Sequence, residues 1–371
     1  MSNHLQSGHA TRWAIWTAAF CGVALNLACV DVEPSEPGPK NPPDLQCSLP
    51  TSAIFDGGPG PDGIPALEYP ELAGGPAAEF VVRADDRVLG LEINGAARAY
   101  PLRIMWWHEL VNDTLGGEDV LVSYCPLTGS GLAFDPEVNG QIRNFGVSGL
   151  LYENNLMMFD RDTRSLWNQL LLGSQCGPER GAELTRLPIV ETTWGAWRSL
   201  HPQTTIVTLN TGYSRDYDRY PYGTYDQPNN ATTFFPSSPW DRSRPPKELV
   251  LGVHEGAASA AYPLEALASV GSAVALNDTV GGRPILVTYI GAHRTMRGFY
   301  RTVNGQEATF VVADSAGFVL RDAETGSLWD ARGVAVAGPL QGAALEQLAD
   351  AYTLFWFSWS VFHPSTRLPD L

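Results

Sequence analysis

Residues 111–124, VNDTLGGEDVLVSY, return as residues 276–289, LNDTVGGRPILVTY, a shift of 165 (276 minus 111). The segment DVLVSY reads as a buried strand, so its recurrence predicts a β unit present twice. Moving outward, AYPL at 99–102 returns at 261–264, SLWN at 165–168 returns as SLWD at 327–330, and WGAWRSLHPQT at 194–204 returns as WFSWSVFHPST at 356–366. The order is kept. The shift is 162 for AYPL (261 minus 99) and 162 again for SLW (327 minus 165), so the second copy gains three residues and then loses three.

Local signals fill in each copy. VLGLEINGAARAYP is two apolar runs around Asn94-Gly95, a pair that favours the positive φ angles of a tight hairpin turn. NLMMFDRDTRSLWNQL reads as a further hairpin with a polar turn. One helix per copy is expected near its end, where Thr193 can cap WGAWRSL before His201-Pro202 stops it. Trp194 and Trp197 then share one face and read as core. His201 and His363 precede Pro in both copies and read as structural. The expected fold is mainly β with short helices, a β-rich α+β chain of two tandem, internally duplicated repeats.

With 371 residues the chain is long enough for about two domains. Its net charge of -16 and its charged share of only 17% leave no basic surface to neutralise phosphates, so nucleic acid is not an expected partner. The apolar run WAIWTAAFCGVALNLAC after Arg12 has the length of an export signal. It ends in Leu25-Asn26-Leu27-Ala28-Cys29, which resembles a bacterial lipobox, with Asn26 where an aliphatic residue is usual. A Pro-rich stretch follows that reads as a stiff tether. The expected layout is a lipoprotein-type signal over 1–29, a tether over 30–50, a first repeat over 51–212, a Pro/Tyr-rich connector over 213–247 and a second, degenerate repeat over 248–371. The expected location is the cell envelope, with Cys29 lipidated and the membrane as a partner through that anchor. A plain secretory signal is the alternative.

Residues present in one copy alone point to a site. Pairing at the shifts above sets Arg98 against Ala260, His108 against Ala273, Glu109 against Val274, Cys125 against Ile290 and Gln169 against Ala331. The first copy also keeps a longer GVSGLLYEN segment after Phe145, where the second has VVADSA after Phe310. This is the asymmetry of one working site and one supporting copy.

RAYPL, WWHELVND, YCPLTGSGLAFD, FGVSGLLYENNLMMFDRDTRSLWNQ and WGAWRSLHP, in that order between about Val88 and Pro202, resemble the signature of the prokaryotic family known as domain of unknown function 3179. The resemblance implies no activity. It does place Arg98, His108, Glu109, Cys125, Thr128, Ser148 and Gln169 within signature motifs.

A thiolate is the useful form of cysteine, and a neighbouring imidazolium or metal ion favours it. Were His108 in a loop folded back across the strand ending at Tyr124, it could meet Cys125. Together they could hold copper, zinc or iron, or work as base and nucleophile. Glu109 or Gln169 would then orient His108, Arg98 would hold an anionic substrate, and Thr128, Ser148 and Gln169 are further candidates for binding it. Met157 and Met158 are adjacent, so one of them could add a soft ligand, or both are core. The plainer alternatives are that Cys125 is a small buried hydrophobe, Arg98 an ion-pair donor to Glu109 or Asp113, and Ser148 a turn residue. Of the five cysteines, Cys21 leaves with the signal and Cys29 takes the lipid. Cys47 and Cys176, both in turn-like segments, are expected to pair and leave Cys125 free. Two function classes follow: a metal-dependent redox or thiol enzyme, or a non-catalytic protein that binds a metal, a small ligand or a partner.

Overall fold

The computed structural model describes residues 46–370, and the chain there is mainly β with four short α-helices. The signal segment, Cys29 and most of the tether lie outside the described residues. Asn94 and Gly95 turn the hairpin between Arg87–Ile93 and Ala96–Pro101 with φ of 51° and 79°. Leu102–His108 follows directly as helix α1, then a meander of Leu110–Leu115, Glu118–Cys125 and Ser130–Asp135. Phe145–Tyr152, Asn155–Asp160, Leu166–Asn168 and Gly173–Cys176 make the next sheet, joined by Ile54–Asp56 at its edge. Ile189–Thr193 then runs into helix α2, Trp194–Leu200, where the Thr193 hydroxyl accepts from the Ala196 amide.

From Leu249 onward the elements follow a parallel order. A hairpin of Leu249–Glu255 and Ala258–Pro263 leads into helix α3, Leu264–Val270. The meander Ala273–Val280, Arg283–Ile290 and Thr295–Tyr300 comes next, and Ala351–Phe355 finally enters helix α4, Trp356–Phe362. The recurring sequence motifs make matching bonds. The Trp167 and Trp329 indoles donate to Asp160 and Asp322, and Asn112 and Asn277 bridge to the backbones of Phe145 and Phe310.

Helix α1 was not expected, and it corrects the residue pairing. Both α1 and α3 start right after Tyr-Pro, at a shift of 162 (264 minus 102), whereas the strand partners Leu110 with Ser123 and Ala275 with Thr288 are offset by 165. The three extra residues are therefore 272–274. Counted from the helices, His108 stands against Val270 and Glu109 against Gly271, not against Ala273 and Val274. Cys125 against Ile290 and Gln169 against Ala331 are unchanged.

The segments at the end of each half pack against the other half. Ile189–Thr193 packs against Thr295–Tyr300, with Thr192 and Thr295 sharing a hydroxyl hydrogen bond. Ala351–Phe355 packs against Ser130–Asp135, where the Phe355 amide donates to the Thr128 carbonyl. Phe355, Trp356, Phe357 and Trp359 therefore share one apolar cluster with Leu121, Cys125 and Phe134. A disulfide joins Cys47 to Cys176 and clips the start of the described chain onto the first half.

Candidate functional site

The strand Glu118–Cys125 divides its side chains by simple alternation. Val120, Val122 and Tyr124 enter one apolar cluster, and Leu121 and Cys125 enter another. Cys125 ends the strand at 1% exposure, with its thiol 3.6 Å from the carbonyl oxygen of Asn154. Beside it is a closed network of uncharged polar groups, all fully buried. The Gln169 amide nitrogen donates to the Ser123 hydroxyl and the Ser130 carbonyl, at 2.9 and 3.1 Å. Its oxygen accepts from the Ser130 hydroxyl at 2.7 Å and the Asn155 amide at 2.8 Å. Asn155 also donates to the Thr128 hydroxyl, which shares a hydrogen bond with Ser130. Such a network is stable only when fully paired, and here each Gln169 atom has two partners.

Glu109 closes helix α1. Its amide donates to Met105, its carbonyl accepts from Tyr124, and its backbone is held at φ 59° and ψ -35°. An acidic side chain in that region is strained. Glu109 is buried at 6% exposure, and among the described residues its carboxyl group makes no hydrogen bond or ion pair. Burial raises it to about 8, well above the usual carboxylate range. Its charge reaches Cys125, whose thiol is pushed up to about 11, first by burial and then by Glu109. The Thr128 hydroxyl and the Thr128 and Leu156 amides act the other way by favouring the thiolate. Below about 8 the carboxyl group keeps its proton, and the thiol keeps its own to higher pH, up to about 11.

The connector roofs this pair. The Tyr220 hydroxyl donates to the Pro126 carbonyl at 3.3 Å and the Tyr225 hydroxyl to the Leu127 carbonyl at 2.9 Å. Tyr222, between them in sequence, is raised by burial and by the charges of Glu109 and Cys125. Asn154 fixes the roof by exchanging two hydrogen bonds with the Phe235 backbone, and Glu153 holds Ser237 and Ser238.

Three expected members are elsewhere. His108 is the last residue of α1, not part of a loop. Its Nδ1 lies 2.8 Å from the Pro65 carbonyl and its Nε2 lies 2.6 Å from the Tyr217 hydroxyl. A carbonyl can only accept, so Nδ1 carries the proton and Nε2 accepts from Tyr217. Tyr217 packs in the cluster of Val122 and Tyr124, on the other face of the strand from Cys125. Burial lowers His108 to about 4. The shared His108–Cys125 centre is therefore not assembled, and neither Glu109 nor Gln169 orients the imidazole. Arg98 ion-pairs with Asp113 at 2.5 Å and donates to Thr205 and Thr114, which makes it a structural residue. Ser148 donates to the Met157 carbonyl and accepts from the Leu150 amide, fastening a bulge between Val147 and Leu150. Met157 and Met158 are fully buried in separate clusters. Among the described residues no three His, Cys, Asp or Glu side chains gather in a group that could hold a metal ion.

Sequence reasoning missed Ser123, Ser130, Asn154, Asn155 and Tyr222. Ser130 lies inside the quoted YCPLTGSGL motif and the two asparagines inside YENNL, so the signal was there in the same segments. Tyr222 had none beyond the connector's aromatic content.

No curated protein matches the chain, and no solved structure does. A family model does, over residues 61–366, which takes in both halves and the connector. By that match, the chain belongs to the family described as protein of unknown function, DUF3179.

Proposed function

We propose that this is an exported protein, lipidated at Cys29 and held at a membrane through its Pro-rich tether, with two halves of common origin and a thiol site in the first. The common origin is supported by the recurring motifs and the parallel order of elements, with 51–212 and 248–371 as the two repeats and 213–247 as the connector. Among the described residues no helix is long and apolar enough to cross a membrane. Replacing Cys29 by Ser should move the protein from the membrane fraction to the soluble one. A wild-type protein already soluble, with its N-terminus beyond Cys29, overturns the anchor.

The site reading rests on one observation: the strained, unpartnered Glu109 carboxyl beside the sole free thiol of the described chain. Strain and an unpaired buried acid both cost stability, and such costs cluster where a residue is kept for its chemistry. Glu109, at about 8, changes charge near neutral pH, whereas Cys125 at about 11 and His108 at about 4 do not. Glu109 is thus the proton-transfer group and Cys125 the reacting sulfur of a redox or thiol enzyme. Gln169, Thr128, Ser130 and Asn155 hold the sulfur's surroundings rigid. A second reading, a non-catalytic holder of a small ligand, draws on the high thiol pKa, which leaves little thiolate at rest.

Hydrogen peroxide separates the two. If the first reading holds, the folded protein forms a trappable sulfenic acid at Cys125, and Glu109→Gln slows its formation. Trapping only after denaturation overturns the enzyme reading in favour of the second.

A further inference from the structure

The second half holds a cavity where the first holds its polar network. Ile290, Thr295 and Ala331 line a space of about 410 Å³, and they stand at the positions of Cys125, Ser130 and Gln169. Replacing Gln169 by the small Ala331 opens the space, and helix α2 closes one side with Trp197 and Leu200. The volume suits a small organic ligand. One strand position reverses the usual asymmetry between the halves. Arg297 occupies the place of Leu132, each opposite a hydroxyl residue on the neighbouring strand, Thr288 and Ser123.

Arg297 lines this cavity and also a second one of about 340 Å³, so it forms part of the wall between them. It is 7% exposed. Its Nη1 donates to the Ala331 carbonyl at 2.9 Å and its Nη2 to the Gln347 side chain at 2.7 Å, while its buried Nε has no partner. Among the described residues no carboxylate ion-pairs with it. The ring of Phe299 lies 5.4 Å from the guanidinium carbon, and Asp330 and Glu92 act on its charge without a direct ion pair. Asp330 is engaged by Arg332, and Glu92 is near the His201 imidazole. A buried guanidinium without a carboxylate in direct contact is costly, and a well-packed apolar residue in its place is often more stable. The first half has that apolar residue, Leu132, fully buried at the same position.

We propose that the cavity between helix α2 and the Arg283–Ile290 and Thr295–Tyr300 strands binds a small organic monocarboxylate, its carboxylate paired with Arg297 and its apolar body against Trp197, Leu200 and Ile290. A single charge suits the site because only one guanidinium there is without a carboxylate, and two of its donors are already engaged. The desolvated position supports the pairing further, since burial lowers Arg297 to about 10 and a bound carboxylate would offset that loss. This site is separate from the Cys125 site and stands or falls without it.

The test is calorimetric titration of the full-length protein with benzoate and hexanoate, and with benzamide and hexanamide as neutral counterparts. Each acid should bind at least about tenfold more tightly than its amide, the margin of one charge-assisted hydrogen bond. Arg297→Leu should abolish that preference with a melting temperature unchanged or raised. Ala316→Trp, at an exposed position on the rim, should block acids and amides alike. No binding by either acid, equal binding of acid and amide, acid binding undiminished in Ala316→Trp, or a large fall in the melting temperature of Arg297→Leu overturns the proposal. The last outcome would make Arg297 a part of the fold's own support.

Discussion

Glu109 carries two penalties at once, a positive φ and an ionisable group out of water, and both are measurable. Its carboxyl titrates at about 8 in the fold against an ordinary 4.5. Between those values the unfolded chain has released the proton and the folded chain has kept it, so stability falls as pH rises through that window. Glu109→Gln removes this dependence. Relative to wild type it should gain stability with rising pH, by at most about 1.4 kcal/mol per pH unit. Urea melts across the window check this, and parallel curves for the two proteins would place Glu109 in water. The histidines act on the acid side. His108, His201 and His363 are each lowered to about 4, so stability is also lost as pH falls from 6.5 towards 4 in both proteins. The motifs read from sequence hold Thr128 and Gln169, which share one polar network beside Cys125, and Glu109, whose charge acts on that thiol. His108 does not join them, because neighbours in sequence at a helix end can point to opposite faces of the next strand. Nothing in WWHELVND marks that helix end, since α1 opens after Pro101 with no side-chain cap.

Each half fixes its last helix against its first hairpin by the same device. A Cβ on Gly90 would fall 2.3 Å from the Trp197 ring, and one on Gly252 would fall 2.3 Å from the Trp359 ring. The indoles also donate to Thr204 and Thr366, which are seven residues further on in each case, and their rings stack on His201 and His363. Gly90→Ala and Gly252→Ala should therefore each destabilise by about 1–3 kcal/mol through overpacking. Chemical denaturation measures it, and a neutral result at either position would show that the ring has room to move. The Trp-to-Thr spacing was visible in the sequence as WGAWRSLHPQT and WFSWSVFHPST, as was the capping Thr193. The glycines were not, because a glycine required by close approach looks like one required by a turn until its neighbour is known.

The halves are serial in sequence but interdependent in space. The thiol site of the first half is covered by Phe355, Trp356 and Trp359, more than 200 residues further along the chain, and Gly129 leaves room for the Phe355 ring. Contacts of that range leave no local pattern. The sequence could therefore show the recurring motifs without revealing that the segments ending each half pack against the other half. It follows that the Cys125 site belongs to the whole molecule and should be assayed in it. On the proposed reading, Glu109 and not His108 governs the sulfur. The most direct measurement is the pH dependence of Cys125 modification by a small alkylating reagent in the folded, full-length protein. The rate should show an inflection near 8 from Glu109 and a further rise towards 11 from the thiol itself, with the first lost in Glu109→Gln and both kept in His108→Ala. Identical profiles for wild type and Glu109→Gln, or a profile altered only by His108→Ala, would contradict that reading.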